Sequence, residues 1–161
     1  MDIVRLSVPG TLQYRDVVLR VVASVCRLVR SSHGSKQEPN PKKHAEDFDD
    51  KVVSAVGEAF NNIAVHAYER VSGHAELELE FEPDRLTVHL RDTGDGFNLA
   101  ADLAAELGNK LEALRESHMG LEIIFACMDE VTYARGDAGA PNVLTMTKRY
   151  LPNFVEPTRD D

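Results

Sequence analysis

Residues 75–97 read AELELEFEPDRLTVHLRDTGDGF, and the fold turns on this stretch. Ala75, Leu77, Leu79 and Phe81 alternate with glutamates, Leu86, Val88 and Leu90 alternate with polar residues, and Pro83-Asp84 lies between the two runs. A period of two sends apolar side chains to one face of a strand and polar ones to the other. Two such runs across a turn signal predict an antiparallel hairpin with one dry face and one wet face. The second run leads directly into Asp92-Thr93-Gly94-Asp95-Gly96-Phe97, a glycine-rich turn with carboxylates at a strand end.

Upstream of the hairpin, a helix is expected from Asp47 or Asp49, whose carboxylates suit a helix start, to about Val71 before Gly73. Its core stripe is Val52, Val56, Ala59 or Phe60, Ile63 and Ala67. Residues 31–46 hold two prolines, a glycine, several charges and no apolar period, which predicts a mobile loop. Before that loop, Val17, Val18, Val21, Val22, Val25, Leu28 and Val29 recur at helical spacing, with Thr11 available as an N-cap. Residues 3–8 alternate and end at Pro9-Gly10, the pattern of a short edge strand. Downstream, residues 99–114 are rich in alanine and leucine but interrupted by Gly108, which predicts a partly helical, movable lid. A last helix is expected from about Met119 to Met128, then strands over 130–134 and 143–150. The order strand, helix, helix, hairpin, lid, helix, strand, strand gives one α/β domain over residues 1–161. It is a two-layer sandwich with a mixed, mostly antiparallel sheet and helices on one face.

Composition narrows the function. The 161 residues are 43% hydrophobic and 28% charged, as in an ordinary globular domain, and 27 acidic against 18 basic residues give a formal charge of −9. Such a surface repels phosphate backbones, so direct nucleic-acid binding is not expected. Cys26 and Cys127 sit in apolar helical segments without metal-ligand spacing and read as reduced core residues. No stretch approaches the roughly 20 apolar residues of a membrane span, and no charged leader opens the chain, so a cytoplasmic protein without membrane contact is expected.

Three constellations could carry chemistry. Glu58, Asn62 and His66 recur every four residues on the helix side nearly opposite Val56, Phe60 and Ile63. An amide oxygen and a carboxylate aligned there suit a hard cation with phosphates and the orientation of a nucleophile. In the Asp92–Phe97 turn, glycines permit close approach of a ligand, and a fixed carboxylate can accept a hydrogen bond from an exocyclic amine. Ser117-His118-Met119-Gly120-Leu121 opens the last helix, where backbone N–H groups form an anion site and Gly120 permits close approach. Each alone also fits a blander reading: a solvated helix face, a capped turn, or an ordinary helix start with Ser117 as cap.

Together their order and spacing resemble the three nucleotide-binding boxes of the GHKL ATPases, those of the Bergerat fold. The compact length, His66-Ala67-Tyr68 and Met128-Asp129-Glu130-Val131 look like the anti-sigma-factor serine/threonine kinases of the RsbW and SpoIIAB kind, over nearly the whole chain. The resemblance implies an ATP- and magnesium-dependent protein kinase. Glu58 is then the general base, Asn62 the magnesium ligand and Asp92 the adenine reader, with Gly94 and Gly96 shaping the pocket. His66 and Phe97 count among the nucleotide-binding residues, residues 98–117 form the ATP lid, and Ser117, His118, Met119 and Gly120 form the phosphate box. Thr145 or Thr147 falls near where the superfamily often places a hydroxyl beside the adenine. The implied partners are an anti-anti-sigma factor of the STAS fold and a sigma factor, and the implied assembly is a homodimer. His118 stands where the family's third box usually has its first glycine. The alternative function is a catalytically weak module that sequesters a sigma factor or another regulator.

Overall fold

The computed structural model describes residues 2–33, 41–67, 73–94, 115–137 and 139–150. Five strands form one sheet: β1 (Asp2–Pro9), β2 (His74–Phe81), β3 (Arg85–Asp92), β4 (Glu130–Ala134) and β5 (Asn142–Arg149), in the spatial order β1-β2-β3-β5-β4. Every described pairing is antiparallel, and β1 is an edge strand as its short alternation predicts. The hairpin sets Leu79 opposite Val88 and Ala75 opposite Asp92. Among the described residues there are three α-helices, α1 (Arg15–His33), α2 (Pro41–Asn62) and α3 (Arg115–Cys127). This is the expected two-layer α/β architecture.

The core lies between the sheet and the helices. Ala75, Leu77, Leu79, Leu86, Val88, Leu90, Leu144 and Met146 come from the sheet, and each is buried because it falls on the parity facing the helices. On α1, Val18, Val22, Val25, Cys26 and Val29 fill the layer above, whereas Val17 and Leu28, expected in the same stripe, are exposed. The apolar stripe of a helix spans only about 100° of its circumference, so the seven expected positions could not all face inward. On α2, both Ala59 and Phe60 are buried, together with Val52, Ala55, Val56 and Ile63. Fully burying a side chain of this kind contributes about 1.5–3 kcal/mol, which makes the two stripes the main source of helix stability here. Arg15 at the start of α1 donates from Nε to Asn61 Oδ1 of α2 at 2.8 Å, fixing the two helices at one end. Cys26 is buried and Cys127 is half-buried, and neither is in a disulfide.

Several boundaries differ from expectation. Helix α1 runs through His33 and α2 begins at Pro41, so only residues 34–40 of the expected loop 31–46 lie outside the described residues. Pro41 stands at the first helical position, where its missing N–H costs nothing and its fixed φ suits a helix, so here it starts a helix. Thr11 is extended but makes no side-chain cap, and a 3₁₀ turn, Leu12–Tyr14, leads into α1. The second helix ends regular α geometry at Asn62 and widens into a π-helical turn over Ile63–Ala67. The third helix starts four residues earlier than expected, at Arg115, which takes residues 115–117 from the expected lid. The remaining lid residues, 98–114, lie outside the described residues.

Candidate active site

Glu58 and Asn62 project from one side of α2, and α3 packs along that helix. The close approach is at Gly120. A Cβ there would stand 3.0 Å from Glu58 Oε2, a tight approach, and 3.7 Å from Asn62 Oδ1, so the glycine lets both side-chain oxygens lie close to α3. Because α3 starts at Arg115, the N–H groups of residues 115–117 lie in its first turn without intrahelical acceptors, and Ser117 is inside the helix rather than its cap. The backbone of Ser117, His118 and Met119 is helical, but their side chains, like that of His66, lie outside the described residues. The pair of oxygens suits a hard cation and a proton acceptor, since amide and carboxylate oxygens are the ligands such cations prefer.

A second polar corner forms at the end of β3. Parity carries Asp92 to the helix-facing side with Leu86, Val88 and Leu90, and it is only 6% exposed. A carboxylate buried that deeply needs hydrogen-bond donors. Oδ1 accepts from the N–H of Gly94 at 2.9 Å and from Nδ2 of Asn142 at 3.0 Å. Asn142 is the cross-strand partner of Asp92 and is 3% exposed. Its Nδ2 also donates to the Gly94 carbonyl at 3.0 Å, and its Oδ1 accepts from the Gly136 N–H at 3.0 Å. Among the described residues no hydrogen bond reaches Asp92 Oδ2. Gly96 and Phe97 lie outside the described residues.

Thr145 requires a correction. Its hydroxyl lies on the open face of the sheet, 3.0 Å from His89 Nδ1, because it has the opposite parity to Leu144 and Met146, and Thr147 lies there too, 3.4 Å from the hydroxyl of Thr87. Neither hydroxyl shares a face with Asp92. The polar side chain at that corner is Asn142, which sequence reasoning missed. The signal was present, since an asparagine two residues before Leu144 and four before Met146 must face the same side and must find partners there.

The open face carries a charge network. Glu78 pairs with Arg5 of β1 and, at 3.2 Å, with Arg91 of β3, while His89 Nε2 lies 3.5 Å from Glu80 Oε2. The hydrogen bond from Arg5 holds the Glu78 carboxyl below its ordinary value against the opposing effect of burial, and Arg91 adds to it. Ligand atoms of Glu78, Glu80 and His89 lie within 4.8 Å of one another. Two guanidinium groups already neutralise Glu78, so this cluster serves cross-strand pairing and competes poorly for a cation.

The family model described as histidine kinase-like ATPase domain matches residues 9–148, a span that includes Glu58, Asn62, Asp92, Gly120 and Asn142. The chain is 28% identical over 138 residues to the serine-protein kinase RsbW of Staphylococcus epidermidis, covering 81% of this chain and 78% of that protein. It is 24% identical over 153 residues to the serine-protein kinase RsbW of Staphylococcus aureus strain MRSA252, covering 91% and 86%.

Proposed function

The chain belongs to the histidine kinase-like ATPase domain family, and on that premise we propose that it is an ATP-dependent serine/threonine protein kinase acting on an anti-anti-sigma factor. The observation that carries this reading is the meeting of Glu58 and Asn62 of α2 with Gly120 in the second turn of α3, which sets a carboxylate and an amide oxygen side by side against that helix. The likeness to serine-protein kinases named RsbW supports the choice of a protein hydroxyl as acceptor.

In this reading Asp92 receives the adenine amine, and the N–H groups of residues 115–117, at the start of α3, receive phosphate oxygens. Asn62 would hold a magnesium ion in part, and that ion would neutralise charge on the phosphates. Glu58 orients the partner's hydroxyl and takes its proton. The hydroxyl oxygen forms a bond to the γ-phosphorus as the bond from that phosphorus to the β,γ-bridging oxygen breaks, and ADP is the leaving group. Binding of a sigma factor, dimer formation and action in the cytoplasm complete the proposal by family likeness.

Incubation with γ-labelled ATP, magnesium and a STAS-domain partner tests it. Label on a serine or threonine of the partner is expected. ATP binding without transfer to any such partner would favour the alternative, a module that sequesters its target.

A further inference from the structure

We infer that Asn142 is a positioning residue that turns Asp92 into a reader of 6-aminopurines, an assignment that rests on the proposed adenine contact. A carboxamide has two N–H donors and one oxygen, and in Asn142 all three are committed. The oxygen accepts from the Gly136 N–H at 3.0 Å, and the two donors go to Asp92 Oδ1 and the Gly94 carbonyl, each at 3.0 Å. The orientation of the amide is therefore fixed, because flipping it would set its oxygen against two acceptors and its NH₂ against a donor.

Asp92 Oδ1 thus receives two donors, Asn142 Nδ2 and the Gly94 N–H. Turning the carboxyl group away would break both bonds. Oδ2 is left as the oxygen presented to a ligand, in a fixed direction and as an acceptor. An amine at purine C6 satisfies it, whereas a 6-oxo group would place acceptor against acceptor. The same amide ties together three chain segments, since Gly94 follows β3, Gly136 follows β4 and Asn142 opens β5. It sets the direction of the Asp92 carboxyl and the path of the turn beside it.

Calorimetric titration of the full chain with ATP and with ITP, which carries the 6-oxo group, tests the assignment. Wild type is expected to prefer ATP. Asn142→Leu, which keeps approximate size but has no donor, should weaken ATP by about tenfold and ITP little, the effect expected for loss of roughly one well-placed hydrogen bond. Asn142→Ser, whose hydroxyl can replace only one of the two donations, should lie between and guards against misfolding of the leucine variant. An equal loss for both nucleotides would assign Asn142 a purely structural role and overturn the inference. So would an unchanged ATP-to-ITP ratio in both Asn142 variants while Asp92→Asn abolishes it. No ATP preference in wild type would instead overturn the adenine reading itself.

Discussion

Gly120 lets a carboxylate and an amide oxygen of α2 lie close against α3. The 3.0 Å approach to Glu58 Oε2 is tighter than ordinary contact, yet the atom in the way is the end of a flexible side chain. A methyl group at this position should therefore move the carboxylate and leave the helices packed. Gly120→Ala is expected to gain up to about 1 kcal/mol of helix propensity while losing phosphoryl transfer by about 10²-fold, the cost of a small misplacement of a reacting group. Thermal melting together with single-turnover transfer separates the two effects. A variant that is both as stable and as active as wild type would remove Gly120 from the site. At this scale the motifs of the sequence single out Asp92 and Glu58 as candidates. They do not single out Asn142, because a hydroxyl was sought on the final strand without asking which parity shares a face with Asp92. Thr145 and Thr147 alternate with Leu144 and Met146, so parity alone sends them to the far side.

Among the elements, α2 bears most on stability and on the proposed chemistry, since its inner stripe packs on the sheet and another side carries Glu58 and Asn62. Phe60 is fully buried in that stripe. Phe60→Ala should cost about 3–5 kcal/mol, through lost transfer energy and the cavity left behind. Chemical denaturation measures this, and a loss below about 1 kcal/mol would mean that α2 is not seated as described. The strands and their order along the chain were legible from period-two alternation, and their ends shifted by only a residue or two. Helix starts were harder to read. The charged segment before Asp47 looked irregular because Pro39 and Pro41 read as breakers, although a proline in the first turn is compatible with a helix. Likewise Arg115 and Glu116 are good helix formers, and only the family resemblance placed them in the lid, since the alanine- and leucine-rich run interrupted by Gly108 ends at Leu114.

The molecule as a whole is a sheet with one apolar face under helices and one polar face tied by cross-strand charges. Arg5, Glu78 and Arg91 link β1, β2 and β3, and Asp129 links the turn after α3 to β5 by accepting from Lys148 Nζ at 2.9 Å and the Arg149 N–H at 2.7 Å. This gives the Met128-Asp129-Glu130 motif a structural reason. Burial alone would raise the Asp129 carboxyl, but the Arg149 N–H and Lys148 outweigh it and hold it below its ordinary value. Glu78 is lowered likewise. Carboxylates of lowered folded pKa add stability that is complete above their ordinary values, 4.5 for Glu78 and 3.8 for Asp129, and that is lost as pH falls through the lowered folded values. Glu78→Gln should therefore cost about 1 kcal/mol or less at neutral pH, as partly exposed pairs do, and should narrow its gap to wild type at acid pH. Melting curves from pH 7 downward check this, and a gap that widens in acid would contradict the pairing.

The kinase reading depends most on Glu58. Single-turnover transfer from a preformed ATP-magnesium complex to a STAS-domain partner, compared for wild type and Glu58→Gln, isolates proton acceptance from binding because glutamine keeps the shape. The expected result is unchanged ATP affinity with transfer slowed by about 10²- to 10⁴-fold, the usual worth of a general base. Equal transfer rates in the two proteins would contradict it.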